Sequence, residues 1–213
     1  MLKAWHMKAK RYAAIVLAAG FSHRMQHFKP LLPLGKETIA DHLMATFLQN
    51  GVDVYLVVGY RQKELRAGIS TRNIQIVENR DYQQGMFSSV QAGLRSLKSD
   101  YQAAFIAPVD IPLVHSETIR RLLKAAEEHP GKVIHPVFNQ KRGHPPLIPA
   151  NMFPAVLGWQ GDGGLKSVPH FCDDTTVGIS VPDSHILFDV DEPVDYEKLL
   201  ERFQCDIAPS EAE

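Results

Sequence analysis

The chain has 213 residues, 45% apolar and 22% charged, with a formal net charge of −1, the profile of an average globular domain. A chain of this length buries roughly 70% of its unfolded surface and needs no metal or disulfide staple to fold. The near-neutral balance excludes a protein that holds nucleic acid by a basic face. Cys172 and Cys205 are far apart and in no ligand spacing, so a reducing, cytoplasmic setting is expected. The start, with Met7 as a second candidate initiator, lacks the apolar core of a signal peptide, and the first apolar run is too short to span a bilayer.

In chain order, residues 12–18 form a short apolar run that ends at glycine and predict a buried strand. Ile39, Leu43 and Phe47 recur at helical spacing and predict a helix over residues 38–49, stopped by Asn50 and Gly51. Strands are predicted at 53–59 and 74–77, and a helix at 88–97 that begins on Ser88 and Ser89. A further buried strand is expected at 103–107. A helix follows, opened by Ser116, whose hydroxyl is expected to cap it, with Ile119, Leu122, Leu123 and Ala126 facing inward. Strands at 133–136, 146–149 and 176–181 and helices at 152–157, 164–171 and 193–203 complete the pattern. Buried strands alternating with amphipathic helices predict an α/β fold with a doubly wound, mostly parallel sheet and helices on both faces. With no internal repeat or linker, the expectation is one domain with its core over residues 12–203 and a polar tail over 204–213 that frays.

In open α/β sheets ligands sit at the carboxyl ends of the strands. The first such end reads Leu17-Ala18-Ala19-Gly20-Phe21-Ser22-His23-Arg24-Met25-Gln26-His27-Phe28-Lys29-Pro30-Leu31-Leu32-Pro33. Small residues at 18–20 let a ligand approach the backbone, whose exposed N–H groups suit phosphate or a base edge. Arg24 and Lys29 add two positive charges within one loop, as a triphosphate requires, and Leu31, Leu32 and Pro33 are expected to anchor its far end in the core. The string is neither the dinucleotide fingerprint, which needs three glycines, nor a P-loop, which needs a closing Gly-Lys-Ser/Thr. A glycine turn followed by solvated basic residues is the plainer reading of the loop taken alone.

This string resembles the signature of the MobA-like nucleotidyltransferases, Leu-Ala-(Ala/Gly)-Gly-x-Ser-x-Arg-Met-Gly-x-x-Lys-x-Leu-Leu-Pro. The family includes the molybdenum cofactor guanylyl- and cytidylyltransferases and is similar to sugar-phosphate nucleotidyltransferases. Gln26 departs from it where the family has glycine; if that glycine serves a positive-φ turn, Gln26 requires a rearranged loop. Later segments continue the resemblance across residues 12–200: Gly85-Met86-Phe87-Ser88-Ser89, Pro108-Val109-Asp110-Ile111-Pro112, Gly143-His144-Pro145-Pro146-Leu147, Gly161-Asp162-Gly163-Gly164-Leu165-Lys166 and Asp189-Val190-Asp191-Glu192-Pro193.

The resemblance implies catalytic roles for Arg24, Lys29 and Asp110. It implies nucleotide contacts at Leu17, Ala18, Ala19, Gly20, Ser22, Asn79, Gly85, Ser88 and Ser89, and acceptor contacts at His144 and Asp162. Asp110, with Asp191 as a second candidate, would hold Mg²⁺ or Mn²⁺. The structural alternatives are ordinary ones: N-capping for the two serines, dipole complementation for Asp189 and Asp191, and turn positions for Asp110 and His144. The remaining histidines show no zinc spacing. Ala19, where the guanylyl branch has glycine, resembles the cytidylyl branch, so CTP and a molybdopterin-type acceptor are the implied substrates, with transient contact to a molybdoenzyme. A sugar or alcohol phosphate acceptor and a non-catalytic cofactor-insertion chaperone remain alternatives. A nicotinamide-dependent oxidoreductase ranks last, for want of the fingerprint glycines.

Overall fold

A computed structural model describes residues 11–169, 171 and 173–207. Met7, His170, Cys172 and the 208–213 part of the expected tail lie outside the described residues. The chain opens with β1 (Arg11–Leu17), then two 3₁₀ turns, His23–Met25 and Lys29–Leu31, and a small ribbon of β2 (Pro33–Leu34) and β3 (Glu37–Thr38). There follow α1 (Ile39–Gln49), β4 (Asp53–Val58), α2 (Gln62–Gly68), β5 (Gln75–Glu78), α3 (Met86–Ser96), β6 (Tyr101–Pro108) and α4 (Ser116–Glu128). The last part holds β7 (Val133–Phe138), β8 (Lys141–Arg142), β9 (Leu147–Pro149), α5 (Phe153–Gly158), β10 (Thr176–Ser180) and α6 (Pro193–Ile207).

The main sheet has eight strands, in the order β10-β7-β9-β6-β1-β4-β5, with β8 paired to β7. β1 pairs in parallel with both β4 and β6, and β9 runs antiparallel to β6 and β7. The doubly wound, mostly parallel architecture is the one the alternating pattern predicts.

Both faces of β1 are covered, which is why its sequence is apolar without alternation. Ala14 and Val16 pack on the layer that holds Phe47 of α1, Leu122 of α4 and Leu199 of α6. Ala13, Ile15 and Leu17 face the opposite layer, with Val90 and Leu94 of α3 and Val156 of α5. Gly93 lets α3 approach closely, since a Cβ there would stand 2.3 Å from Ile15 Cγ2.

Several local expectations are corrected. Ser116 does not cap α4, because it is already inside the helix and its hydroxyl accepts from Asn50 Nδ2 at 2.6 Å. His115 holds the cap position instead, its N–H donated to Asp183 Oδ2 at 2.9 Å. α3 begins at Met86 rather than Ser88, with Gly85 before it at φ 98°. The helix expected at 164–171 shrinks to a 3₁₀ turn at Gly164–Ser167, entered through Gly163 and Gly164 at positive φ and followed by Pro169. Pro33 is exposed; the loop's far end is fixed by Leu34, fully buried, with Leu31 and Leu32 half-buried above it. α2 carries one buried side chain, Leu65, too little apolar periodicity to have been predicted.

After β1 the chain runs outward through β4 to β5 and then returns to place β6 on the other side of β1. The strand order therefore reverses between β1 and β6, and a crevice opens at their carboxyl ends.

Candidate active site

The backbone at the end of β1 is tied to both neighbours. Ala18 N donates to Val57 O at 3.0 Å, and Leu17 O accepts from Val109 N at 3.2 Å. Ala19 O accepts from Tyr60 N at 3.1 Å, and beyond these ties the loop faces the crevice. A Cβ on Gly20 would meet no protein atom, so the room that glycine leaves belongs to the cavity. The loop then tightens through Ser22 at φ 55° and Gln26 at φ 59°. The position that resembles the family's glycine is thus a left-handed turn, and Gln26 itself adopts it. Ser22 Oγ accepts from Lys29 N at 3.4 Å and closes the turn.

Lys29 is 7% exposed, and such burial requires compensation for its charge. Its Nζ donates to Asp191 Oδ1 at 3.1 Å and lies 3.6 Å from Asp110 Oδ2. Arg24 Nη2 reaches the other oxygen, Asp191 Oδ2, at 2.7 Å. Two cations of the first loop and two acids far along the chain therefore meet at one point. Burial pushes the Asp110 carboxyl above its ordinary range; Lys29 pulls it back, and Asp191 and Asp189 push it further up. The segment after 188 is held there because Asp110 O accepts from Val190 N at 2.8 Å. Asp195 Oδ2 accepts from the N–H groups of Asp191 and Glu192 at 3.2 and 3.0 Å. Complementing the start of α6 is thus the work of Asp195, which frees Asp191 for the crevice.

Two cavities meet at this cluster. The first, about 420 Å³, is lined by Leu17, Ala18, Ala19, Gly20 and Ser22 of the loop and by Gly85 and Ser89 near the start of α3. Arg24, Lys29, Asp110 and Asp191 form its inner wall. The second, about 400 Å³, shares Arg24, Asp110 and Asp191 and adds Arg142, His144 and Asp189. Burial first, then Lys166, lowers the His144 pKa, partly opposed by Asp189. Its Nδ1 is buried without a hydrogen-bond partner among the described residues.

Asn79 and Ser88 stand behind the first cavity rather than in its wall. Asn79 Nδ2 donates to Ser88 Oγ and Ser89 Oγ, both at 2.9 Å, and its Oδ1 accepts from Asp81 N at 3.0 Å. This network sets the turn that carries Gly85. Asp162 is exposed and lines neither cavity. Residues the sequence reading passed over also line the site: Tyr82 in the first cavity, and Met86, 58% exposed, in both. Phe21 stacks on His23 with centroids 4.8 Å apart and lies 5.3 Å from Tyr82, giving the first cavity an aromatic side. Phe21, next to Gly20 in the loop, was a signal available in the sequence; Met86, quoted only within a longer segment, was not.

The family of the MobA-like NTP transferase domain matches residues 14–175. The chain belongs to this nucleotidyltransferase family. Escherichia coli (strain K12) molybdenum cofactor cytidylyltransferase is 28% identical over 190 residues, covering 89% of this chain and 95% of that protein. Nicotine blue oxidoreductase of Paenarthrobacter nicotinovorans is 30% identical over 162 residues, covering 71% and 78%. A relative is therefore named for redox chemistry, the class that the missing fingerprint glycines place last here. Among solved structures, Rv0371c from Mycobacterium tuberculosis H37Rv superposes with a TM-score of 0.80 at 24% identity, over 91% of this chain and all 100% of that one, a likeness of fold. The loop over residues 17–33 falls inside the matched region. No helix among the described residues is long and apolar enough to cross a membrane.

Proposed function

We propose that this protein transfers a cytidylyl group from CTP to a phosphorylated acceptor of the molybdopterin type, releasing pyrophosphate. The observation that carries the reading is the pair of adjoining cavities with Arg24, Asp110 and Asp191 in their common wall. One cavity takes the donor against the Ala18–Gly20 backbone, the other takes the acceptor near Arg142 and His144. Likeness to the Escherichia coli cytidylyltransferase supports CTP and the acceptor class.

Asp110 and Asp191 each bring a carboxylate oxygen to one ammonium, an all-oxygen donor set that suits Mg²⁺ or Mn²⁺. A divalent ion bound there would neutralise charge on the triphosphate. The chain's own part is alignment and charge. Arg24 and Lys29 offset the phosphate charge that spreads as the acceptor phosphate oxygen bonds to the α-phosphorus and the bond to pyrophosphate breaks. The acceptor oxygen is already anionic, so the reaction needs no general base. The neutral His144 ring offers a nitrogen for hydrogen bonding to the acceptor.

The test is pyrophosphate release with CTP, GTP, ATP or UTP, with Mg²⁺ or Mn²⁺, with and without molybdopterin-type cofactor, for the native chain and Asp110→Asn. Release should require CTP and the cofactor and fall by about 10² or more in the variant. Release only with a sugar phosphate would overturn the acceptor, and tight nucleotide binding with no release would replace the enzyme by a chaperone. Dye reduction by a nicotinamide nucleotide would move the protein to the redox branch.

A further inference from the structure

Away from the crevice, three segments bring together side chains that the sequence gives no reason to associate. His115 ends the loop before α4, His185 lies in the 3₁₀ turn Ser184–Leu187, and Asp206 lies near the end of α6. The two histidines are 70 residues apart in sequence, so no local spacing announces them. One ligand atom from each of the three residues lies within 4.8 Å of the others.

We propose that His115, His185 and Asp206 form a zinc site. His115 Nε2 is 3.5 Å and His185 Nε2 3.8 Å from Asp206 Oδ2. Ligand bonds of about 2.0–2.1 Å in a tetrahedron set ligand atoms roughly 3.3–3.4 Å apart, so both pairs to Asp206 are near that spacing and the two imidazoles, within 4.8 Å of each other, must close onto the ion. The His115 side chain, 43% exposed, has room to do so. Two imidazoles and one carboxylate are a donor set for zinc rather than for magnesium.

The surroundings supply what the ligands need. Asp183, 1% exposed, sits behind both rings, with Oδ1 3.3 Å from His185 Nδ1 and 3.9 Å from His115 Nδ1. Its carboxylate is fixed by Thr118 Oγ1 at 2.7 Å and by the N–H groups of His115 and His185 at 2.9 and 3.0 Å. A carboxylate on the far nitrogen orients a ligating imidazole and raises its basicity. His185 Nδ1 and His115 Nε2 share a hydrogen bond at 3.1 Å, which zinc would replace. Partial exposure of His115 and Asp206, 43% and 35%, leaves a fourth position for water. Zinc here would pin α4, the turn and α6 together. Ile186 and Leu187 of that turn line the second cavity, so the ion would stiffen one wall of the acceptor side.

The experiment is a zinc titration of chelator-treated full chain against a chromophoric indicator, in excess Mg²⁺, repeated with Co²⁺ to read the ligand-field absorption of a tetrahedral site. The native chain and Asp110→Asn should each take up one ion per chain that Mg²⁺ does not displace. His115→Ala, His185→Ala and Asp206→Asn should lose it, and Asp183→Asn should bind about 10–100-fold more weakly. Asp206→Asn changes an exposed helix position, so its loss of binding is not a folding failure. No stoichiometric uptake, uptake unchanged in Asp206→Asn and His115→Ala, or uptake abolished by Asp110→Asn would each overturn the site. None of these readouts depends on transferase activity.

Discussion

Replacing Lys29 by methionine keeps the volume of a buried side chain and removes its charge. At the 3.6 Å separation from Asp110, an effective dielectric of about 20 gives an attraction of about 4–5 kcal/mol. Part of that is offset because Lys29→Met also removes the cost of burying the ammonium. Asp191 keeps Arg24 at 2.7 Å, so the orphaned group is Asp110, with 22% of its side chain still exposed. The expected net loss is about 2–3 kcal/mol at neutral pH, below the ~3–5 kcal/mol of a fully buried pair broken on one side. The loss should shrink on acidification. Asp110 already titrates above its ordinary range through burial, and losing Lys29 removes the neighbour that lowers it. Between the ordinary and the raised value the folded state binds more protons than the unfolded one, so stability rises as pH falls through that window. Urea unfolding in chelator, at neutral and at mildly acidic pH, measures both. A variant as stable as the native chain at neutral pH, or a deficit independent of pH, refutes the reasoning. Lys29→Met combined with Asp110→Asn should recover most of the loss, because the neutral amide needs no cation.

Gln26 sits at φ 59°, where a non-glycine residue bears strain of about 1–2 kcal/mol that glycine's larger unfolded-state entropy partly offsets. Gln26→Gly should therefore raise the melting temperature slightly and leave pyrophosphate release unchanged; a lower melting temperature would show that the glutamine side chain does more than tolerate the turn. His135 is held down to about 4, first by burial and then by Arg142 and His144. Its folded state takes up fewer protons than the unfolded one, so stability is lost as pH falls from the ordinary value of 6.5 toward about 4. His135→Gln should flatten that acid-side decline in a chemical denaturation series, and an unchanged slope would count against a neutral buried ring.

β1, β4 and β6 were readable because burial on both faces leaves unbroken apolar runs such as 13–19, and the first loop because its charges are local; the two-residue strands β2, β3 and β8 carry no such run. What escaped depends on contacts across the chain. Ser88 and Ser89 are strong cap formers and were placed at a helix start; in the fold their hydroxyls accept from Asn79, and Gly85 precedes the helix. Asp191 looked like a dipole partner for α6, and only the tertiary arrangement shows Asp195 in that role and Asp191 on Arg24, 167 residues away. α2 has one buried residue and no stripe to detect. The meeting of His115 with His185 has no local signature at all.

Lys29 also sets the terms on which the crevice accepts a cation. Its ammonium stands between the carboxylates of Asp110 and Asp191, so an ion entering alone competes with a tethered occupant that dilution never removes. A polyphosphate changes the contest, because its oxygens give the ammonium somewhere else to go. Under the proposed reading, free metal and free nucleotide each load poorly, and the two together load well. The enzyme would then respond to the concentration of the metal–nucleotide complex, with one lysine as the interlock.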